Sequence, residues 1–146
     1  MSEIVTNLFV YGTLMPGESN YRQIEAFVID HRPGTIDGVL ADLGAYPALL
    51  PGDGHVRGVM LQMHREALKI TDRIEGYHPD RNRCLYVREE VVVRFEEGQE
   101  TAWTYFFADS NNVSDCPRLV VGESDGRLRY AWAHPETYSE KSMRKS

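Results

Sequence analysis

Residues Thr101 to Ala108 put apolar atoms on both faces of one strand, with Trp103, Tyr105 and Phe107 alternating against Ala102, Thr104 and Phe106. Such a strand belongs inside a layered or closed structure, since neither face can be left to water. Tyr86 to Phe95 is a second β-rich run, and Glu96 to Glu100 between the two predicts an antiparallel hairpin. Leu8 to Tyr11 reads as a buried strand. Thr35 to Leu43 alternates around Gly38, which marks a bulge or bend. The apolar segment Ala45 to Leu50 ends at Pro51-Gly52-Asp53-Gly54, which reads as a turn into a strand over His55 to Met63. Asp125-Gly126 is a tight-turn pair between Leu119-Val120-Val121 and Leu128 to Trp132.

Helical spacing occurs twice. Ile24, Phe27 and Val28 predict a helix from Tyr21 to about Ile29 with Asn20 as its cap, and Ala67, Leu68, Ile70, Thr71 and Ile74 predict one from Arg65 to Glu75, stopped by a left-handed Gly76. Consecutive short strands with only two main helices describe an α+β chain. A small mixed or antiparallel β-barrel flanked by those helices would satisfy so many apolar strands best. The 146 residues are enough for one core without staples, so residues 1–136 read as a single domain and the polar Thr137 to Ser146 as a loose C-terminal tail.

Several function classes drop out. Sixteen Lys and Arg against 22 Asp and Glu leave a net charge of -6 with the basic residues scattered, which argues against a nucleic acid or an anionic membrane as partner. Cys84 and Cys116 are too few for a disulfide framework, and His31, His55, His64, His78 and His134 show no ligand spacing, so no metal is expected. No apolar run approaches the roughly 20 residues of a membrane span, and no basic-then-apolar leader precedes the first strand, so the expected location is cytoplasmic. No GxSxG, GxxxxGK[ST] or GxGxxG pattern appears, which argues against a nucleophile elbow and a nucleotide site.

Two stretches can carry chemistry. At Gly12 the apolar run stops in Tyr-Gly-Thr-Leu-Met-Pro-Gly, where the backbone is free to take dihedrals a side chain would forbid. The N–H groups of Thr13 and Leu14 can then turn toward an anion or a developing oxyanion. Equally, Gly12 can be a simple turn glycine. Glu75 lies in the last turn of the second helix, where the negative end of the dipole raises a carboxyl pKa toward that of a working acid/base. The plain alternative is a solvated surface glutamate. Tyr11 and Tyr105 can orient a substrate with their hydroxyls or be core residues. Arg88 reads as an ion pair with Glu90 or Glu25, or as a carboxylate receptor, and Asp72 and Arg73 as solvated helix charges.

Taken together, Val10-Tyr11-Gly12-Thr13-Leu14, Asn20, Tyr46-Pro47-Ala48-Leu49, Val56-Arg57-Gly58, Asp72-Arg73-Ile74-Glu75-Gly76-Tyr77, Tyr86-Val87-Arg88 and the Tyr105 strand resemble the γ-glutamylcyclotransferase-like family. Within it, they are similar to the branch of γ-glutamylamine cyclotransferases and AIG2-like proteins. The resemblance covers Leu8 to about Ala108. It implies a β-barrel with the loop and the glutamate facing each other across a pocket. It further implies that Glu75 is the catalytic acid/base and that Tyr11, Gly12, Thr13 and Leu14 cradle the γ-glutamyl group, with Tyr105 as a further substrate-binding candidate. The partner would be a small-molecule γ-glutamyl substrate, closed into 5-oxoproline by its own α-amino group without a cofactor. A non-catalytic small-carboxylate binding module on the same fold is the alternative. Nothing in the sequence signals an oligomeric state.

Overall fold

A computed structural model of the chain describes residues 4–78, 84–109 and 113–132. The tail expected over Thr137 to Ser146 lies outside the described residues. Among the described residues, seven strands and one short α-helix make up the fold: β1 (Val5–Val10), β2 (Val28–Asp42), β3 (Pro47–His64), α1 (Leu68–Glu75), β4 (Tyr86–Arg94), β5 (Gln99–Phe107), β6 (Val120–Ser124) and β7 (Arg127–Tyr130). The sheet order is β1-β5-β4-β2-β3-β7-β6, and β1 pairs again with β3. That extra pairing closes the first five strands into the barrel the sequence predicts.

Closure is uneven. β1 and β3 are antiparallel over Val5 to Val10, and β4 and β5 form the expected hairpin along their full length. The β1–β5 seam is a single parallel pair, Leu8 with Trp103, and the β2–β4 seam is Thr35 with Arg94. Every barrel strand sends a residue inward: Phe9, Ile36, Met60, Val93 and Ala102 share one core with Tyr11 and Val56. The opposite faces of β1 and β3, through Leu8, Val10, Leu61 and Met63, pack under Ala67, Leu68 and Tyr105 in a second cluster. β1 is therefore apolar on both sides because it is a wall between two cores.

Three local expectations meet the structure differently. The helix predicted from Tyr21 to Ile29 is a pair of 3-10 turns, Tyr21–Gln23 and Glu25–Phe27, after which Val28 opens β2. One α-helix, not two, therefore flanks the barrel among the described residues. The segment Pro51 to Gly54 is not a turn. β3 runs through it, with Asp37 opposite His55 and Val39 opposite Leu50, so four residues of β3 bulge against Gly38 alone. The reversal sits at Leu43 to Tyr46, closed by the Leu43 N–H on the Tyr46 carbonyl (3.1 Å) and by the Gly44 N–H on the Asp42 carboxylate (2.7 Å). Asp125 and Gly126, both at positive φ, do form the predicted tight turn between β6 and β7. β7 lies parallel to β3 at His55 and Val56.

Candidate active site

Where β1 ends, the chain folds back on itself. The Met15 N–H donates to the Gly12 carbonyl (3.0 Å), the Asn20 N–H to the Thr13 carbonyl (2.8 Å), and Asn20 Nδ2 to Thr13 Oγ1 (2.8 Å). Asn20 thus braces the loop and caps no α-helix; its side chain takes no backbone N–H of the 3-10 turn it precedes, and its Oδ1 accepts only the Gln23 side chain there, at 3.1 Å. Gly12 is buried, and its φ is not among the positive ones. A Cβ there would lie 2.8 Å from Pro47 Cδ and 2.9 Å from Cγ. Glycine is required because β3 presses on the loop, not because of an unusual dihedral. Among the described residues no acceptor takes the N–H groups of Thr13 or Leu14, so both donors remain available to a ligand.

Glu75 is the last residue of α1. Gly76 follows at φ 66° and ψ 37°, and the Gly76 and Tyr77 N–H groups close the helix on the Arg73 and Asp72 carbonyls. The expected left-handed stop is therefore present. Burial pushes the Glu75 carboxyl up to about 7. The cause is loss of water on burial. No described residue hydrogen-bonds the carboxylate.

The loop and the glutamate share one cavity of about 90 Å³, with Gly12, Thr13 and Leu14 on one wall and Glu75 on the other. Tyr46, Pro47, Leu85 and Tyr86 also line it. The predicted residues Tyr11 and Tyr105 reach the same cavity, but their hydroxyls are already engaged. The Tyr11 O–H donates to the Tyr105 carbonyl (2.5 Å), and the Tyr105 O–H donates to Asp72 Oδ1 (2.5 Å) and lies 2.7 Å from Thr71 Oγ1. The Tyr86 O–H donates to the Pro47 carbonyl (2.5 Å). Burial is the main cause that holds all three phenols above their ordinary pKa, so they are neutral at physiological pH.

Asp72 is not the solvated charge expected from the sequence. It accepts Arg88 Nε at 2.9 Å and Nη2 at 3.2 Å, in the forked geometry guanidinium and carboxylate prefer, with both side chains 18% exposed. Arg88 accordingly pairs with neither Glu90 nor Glu25. Sequence reasoning passed over Asp72, Asn20, Pro47 and Tyr86 as site residues. The available signal was the spacing of Asp72, three positions before Glu75 and hence on the same helix face. Among the described residues no group of three His, Cys, Asp or Glu is placed to hold a metal ion, and no helix is long and apolar enough to cross a membrane.

The chain matches the family described as gamma-glutamyl cyclotransferase, AIG2-like, over residues 8–125. Over 103 residues it is 38% identical to the gamma-L-glutamyl-butirosin B gamma-glutamyl cyclotransferase of Niallia circulans, a match covering 69% of this chain and 66% of that protein. The chain thus spans slightly less than two thirds of that relative. An AIG2-like protein from Mus musculus superposes with a TM-score of 0.66 at 23% identity, covering 90% of this chain and 98% of the other. An Arabidopsis thaliana protein does so with a TM-score of 0.61 at 20% identity, covering 97% of this chain and 79% of the other. At these identities the two solved structures speak to the fold.

Proposed function

The chain belongs to the gamma-glutamyl cyclotransferase, AIG2-like family, and from that membership we propose that it releases 5-oxoproline from a γ-glutamyl amine or γ-glutamyl amino acid, with Glu75 as general acid/base. The observation that carries this reading is the shared cavity: unpaired backbone donors on one wall and a carboxyl titrating near neutrality on the other. In the reaction the substrate's α-nitrogen attacks its own γ-carbonyl carbon. A C–N bond closes the five-membered lactam, and the C–N bond to the departing amine breaks. Glu75 takes the proton that the α-ammonium loses before attack, and the second proton, shed as that nitrogen becomes the lactam N–H, passes to the leaving nitrogen; the departing amine then takes up the proton held on Glu75. The Thr13 and Leu14 N–H groups hold the substrate's carboxylate or the oxyanion of the tetrahedral intermediate.

Nucleophile and electrophile already share one molecule, so the site has only to hold the folded-back conformer and move a proton, which needs no cofactor. A carboxyl near 7 suits that task, since both protonation states are populated at the working pH. The activity of the free enzyme should therefore rise with pH through about 7, as Glu75 becomes the base. The test is incubation with a panel of γ-glutamyl amines and amino acids, γ-L-glutamyl-butirosin B among them, with 5-oxoproline as the readout. Release that disappears in Glu75→Gln supports the assignment. Tight binding of 5-oxoproline with no turnover across the panel would replace it with a small-carboxylate binding module.

A further inference from the structure

Tyr105 is the residue on which both walls of the cavity meet. Its carbonyl takes the hydroxyl of Tyr11, at the point where β1 hands over to the loop. Its own hydroxyl reaches the other way, to Thr71 and Asp72 on α1. Arg88 stands directly opposite Tyr105 in the β4–β5 hairpin and grips the same Asp72 carboxylate through two nitrogens. The guanidinium is itself held between two rings, 5.4 Å from the Tyr77 centroid and 4.8 Å from that of Trp103.

The helix needs such a hold. α1 has eight residues and no side-chain N-cap, and isolated helices shorter than about 12 residues are marginal in water. Leu68 and Thr71 are its buried residues, which fixes the first turn against the barrel. Glu75 stands one turn beyond Thr71, at the end of the helix. Within the last turn, the polar anchor to the hairpin is Asp72.

We propose that Tyr105, Asp72 and Arg88 are positioning residues, which tie the strand carrying the Gly12–Leu14 loop to the helix carrying Glu75 and thereby set the width of the cavity between them. This rests on the cyclotransferase reading above for its kinetic consequences, but not for its structural one. The Tyr105 hydroxyl hydrogen is committed to Asp72, so Tyr105 acts through Glu75 and the loop and not on the reacting atoms. Loosening the tie lets α1 swing and water reach the Glu75 carboxylate.

The test compares wild type with Tyr105→Phe, Asp72→Asn and the double variant, by steady-state kinetics and by carbon-detected NMR titration of the Glu75 carboxyl. The titratable groups sharing the cavity with Glu75 are the phenols of Tyr11, Tyr46, Tyr86 and Tyr105, and burial holds those of Tyr11, Tyr86 and Tyr105 above their ordinary range. Tyr105→Phe keeps the ring and the carbonyl that receives Tyr11. It should lower kcat by about tenfold to a hundredfold, as expected for misplacement of order 1 Å, with KM changed less than about threefold. The Glu75 titration should fall from about 7 by about one unit as water enters. The double variant should be no worse than the poorer single one, because both break one tie. If wild type turns over nothing, the functional reading fails while the Glu75 titration still decides the tie. If Asp72→Asn does not fold, Tyr105→Phe decides alone. An unchanged Glu75 titration in the folded variants overturns the inference. So does a raised KM at unchanged kcat, which would make Tyr105 a direct substrate contact.

Discussion

The two walls of the cavity are held by different kinds of bond. The loop wall is closed locally: Gly12 to Met15, Thr13 to Asn20, all within one short stretch after β1, with Pro47 pressed against it from outside. The helix wall hangs on partners far away in sequence, Asp72 on Arg88 at a separation of 16 and on Tyr105 at 33. The loop is closed mostly by main-chain bonds, none of which involves α1. Glu75 keeps its place only while the hairpin holds the helix. On the proposed reading, in which the loop binds and Glu75 moves the proton, the two walls separate binding from turnover, and substitutions on the two sides should divide the same way.

The largest effect is expected at Glu75 itself. Replacing it with Gln removes the proton carrier and leaves the loop untouched, so turnover should fall by at least about 10² to 10⁴. Binding of 5-oxoproline, measured by calorimetry, should stay within about threefold of wild type if the loop supplies most of the hold. Equal losses in both measurements would show that the walls do not divide the work.

Gly12→Ala breaks the other side. The new Cβ would stand 2.8 Å from Pro47 Cδ, closer than carbon atoms approach without movement, so either the loop or the 43–46 turn must shift. Overpacking of this kind costs about 1–3 kcal/mol, visible in thermal unfolding, and here it should appear in KM more than in kcat. A variant as stable as wild type would mean that Pro47 gives way, and that the loop is less fixed than its hydrogen bonds suggest.

The same division decides what could be read in the sequence. The loop is local, so Tyr-Gly-Thr-Leu could be identified as a donor-bearing turn, although the reason for its glycine lies on Pro47, 35 positions on. The barrel was legible because alternation in β1 and β5 leaves no face for water. Asp72 was not legible as an anchor, since its partners depend on the hairpin register and on α1 lying across it. The first helix failed for a simpler reason. Ile24 and Phe27 are three apart, which fits a 3-10 turn as well as an α-helix, and the β-branched Val28 and Ile29 continue into β2. Likewise Pro51-Gly52-Asp53-Gly54 has the composition of a turn, but β2 and β3 carry it as a bulge because their pairing resumes on both sides.

Stability against pH sharpens the contrast further. In the unfolded chain Glu75 titrates at its ordinary 4.5, and in the fold at about 7, so the native state binds the proton more tightly. That preference supports the fold fully below the unfolded value and is lost as pH rises through the folded one. Glu75→Gln escapes the loss. It should match wild type near pH 4 and exceed it at pH 8 by about 1–2 kcal/mol, less than the full shift implies because the mouth of the cavity admits solvent. Chemical denaturation of both proteins at the two pH values checks this. A variant no more stable at pH 8 would mean that the carboxylate is hydrated in the fold and that the raised titration is absent.

The smallest effect is expected at Asn20. Among the described residues its amide reaches only Thr13 Oγ1, at 2.8 Å, and the Gln23 side chain, while the main chain of the loop is closed by other bonds, including its own N–H on the Thr13 carbonyl. Asn20→Ala deletes the side-chain brace and keeps the backbone one, so the cost should be about 1 kcal/mol in stability, the usual net value of one neutral hydrogen bond. Because that brace sits on the donor wall, KM should rise severalfold while kcat and the Glu75 titration hold. If Asn20→Ala instead lowers kcat and shifts Glu75, the loop and the helix are not separate supports, and the Thr13 side chain is part of what keeps the carboxylate in place.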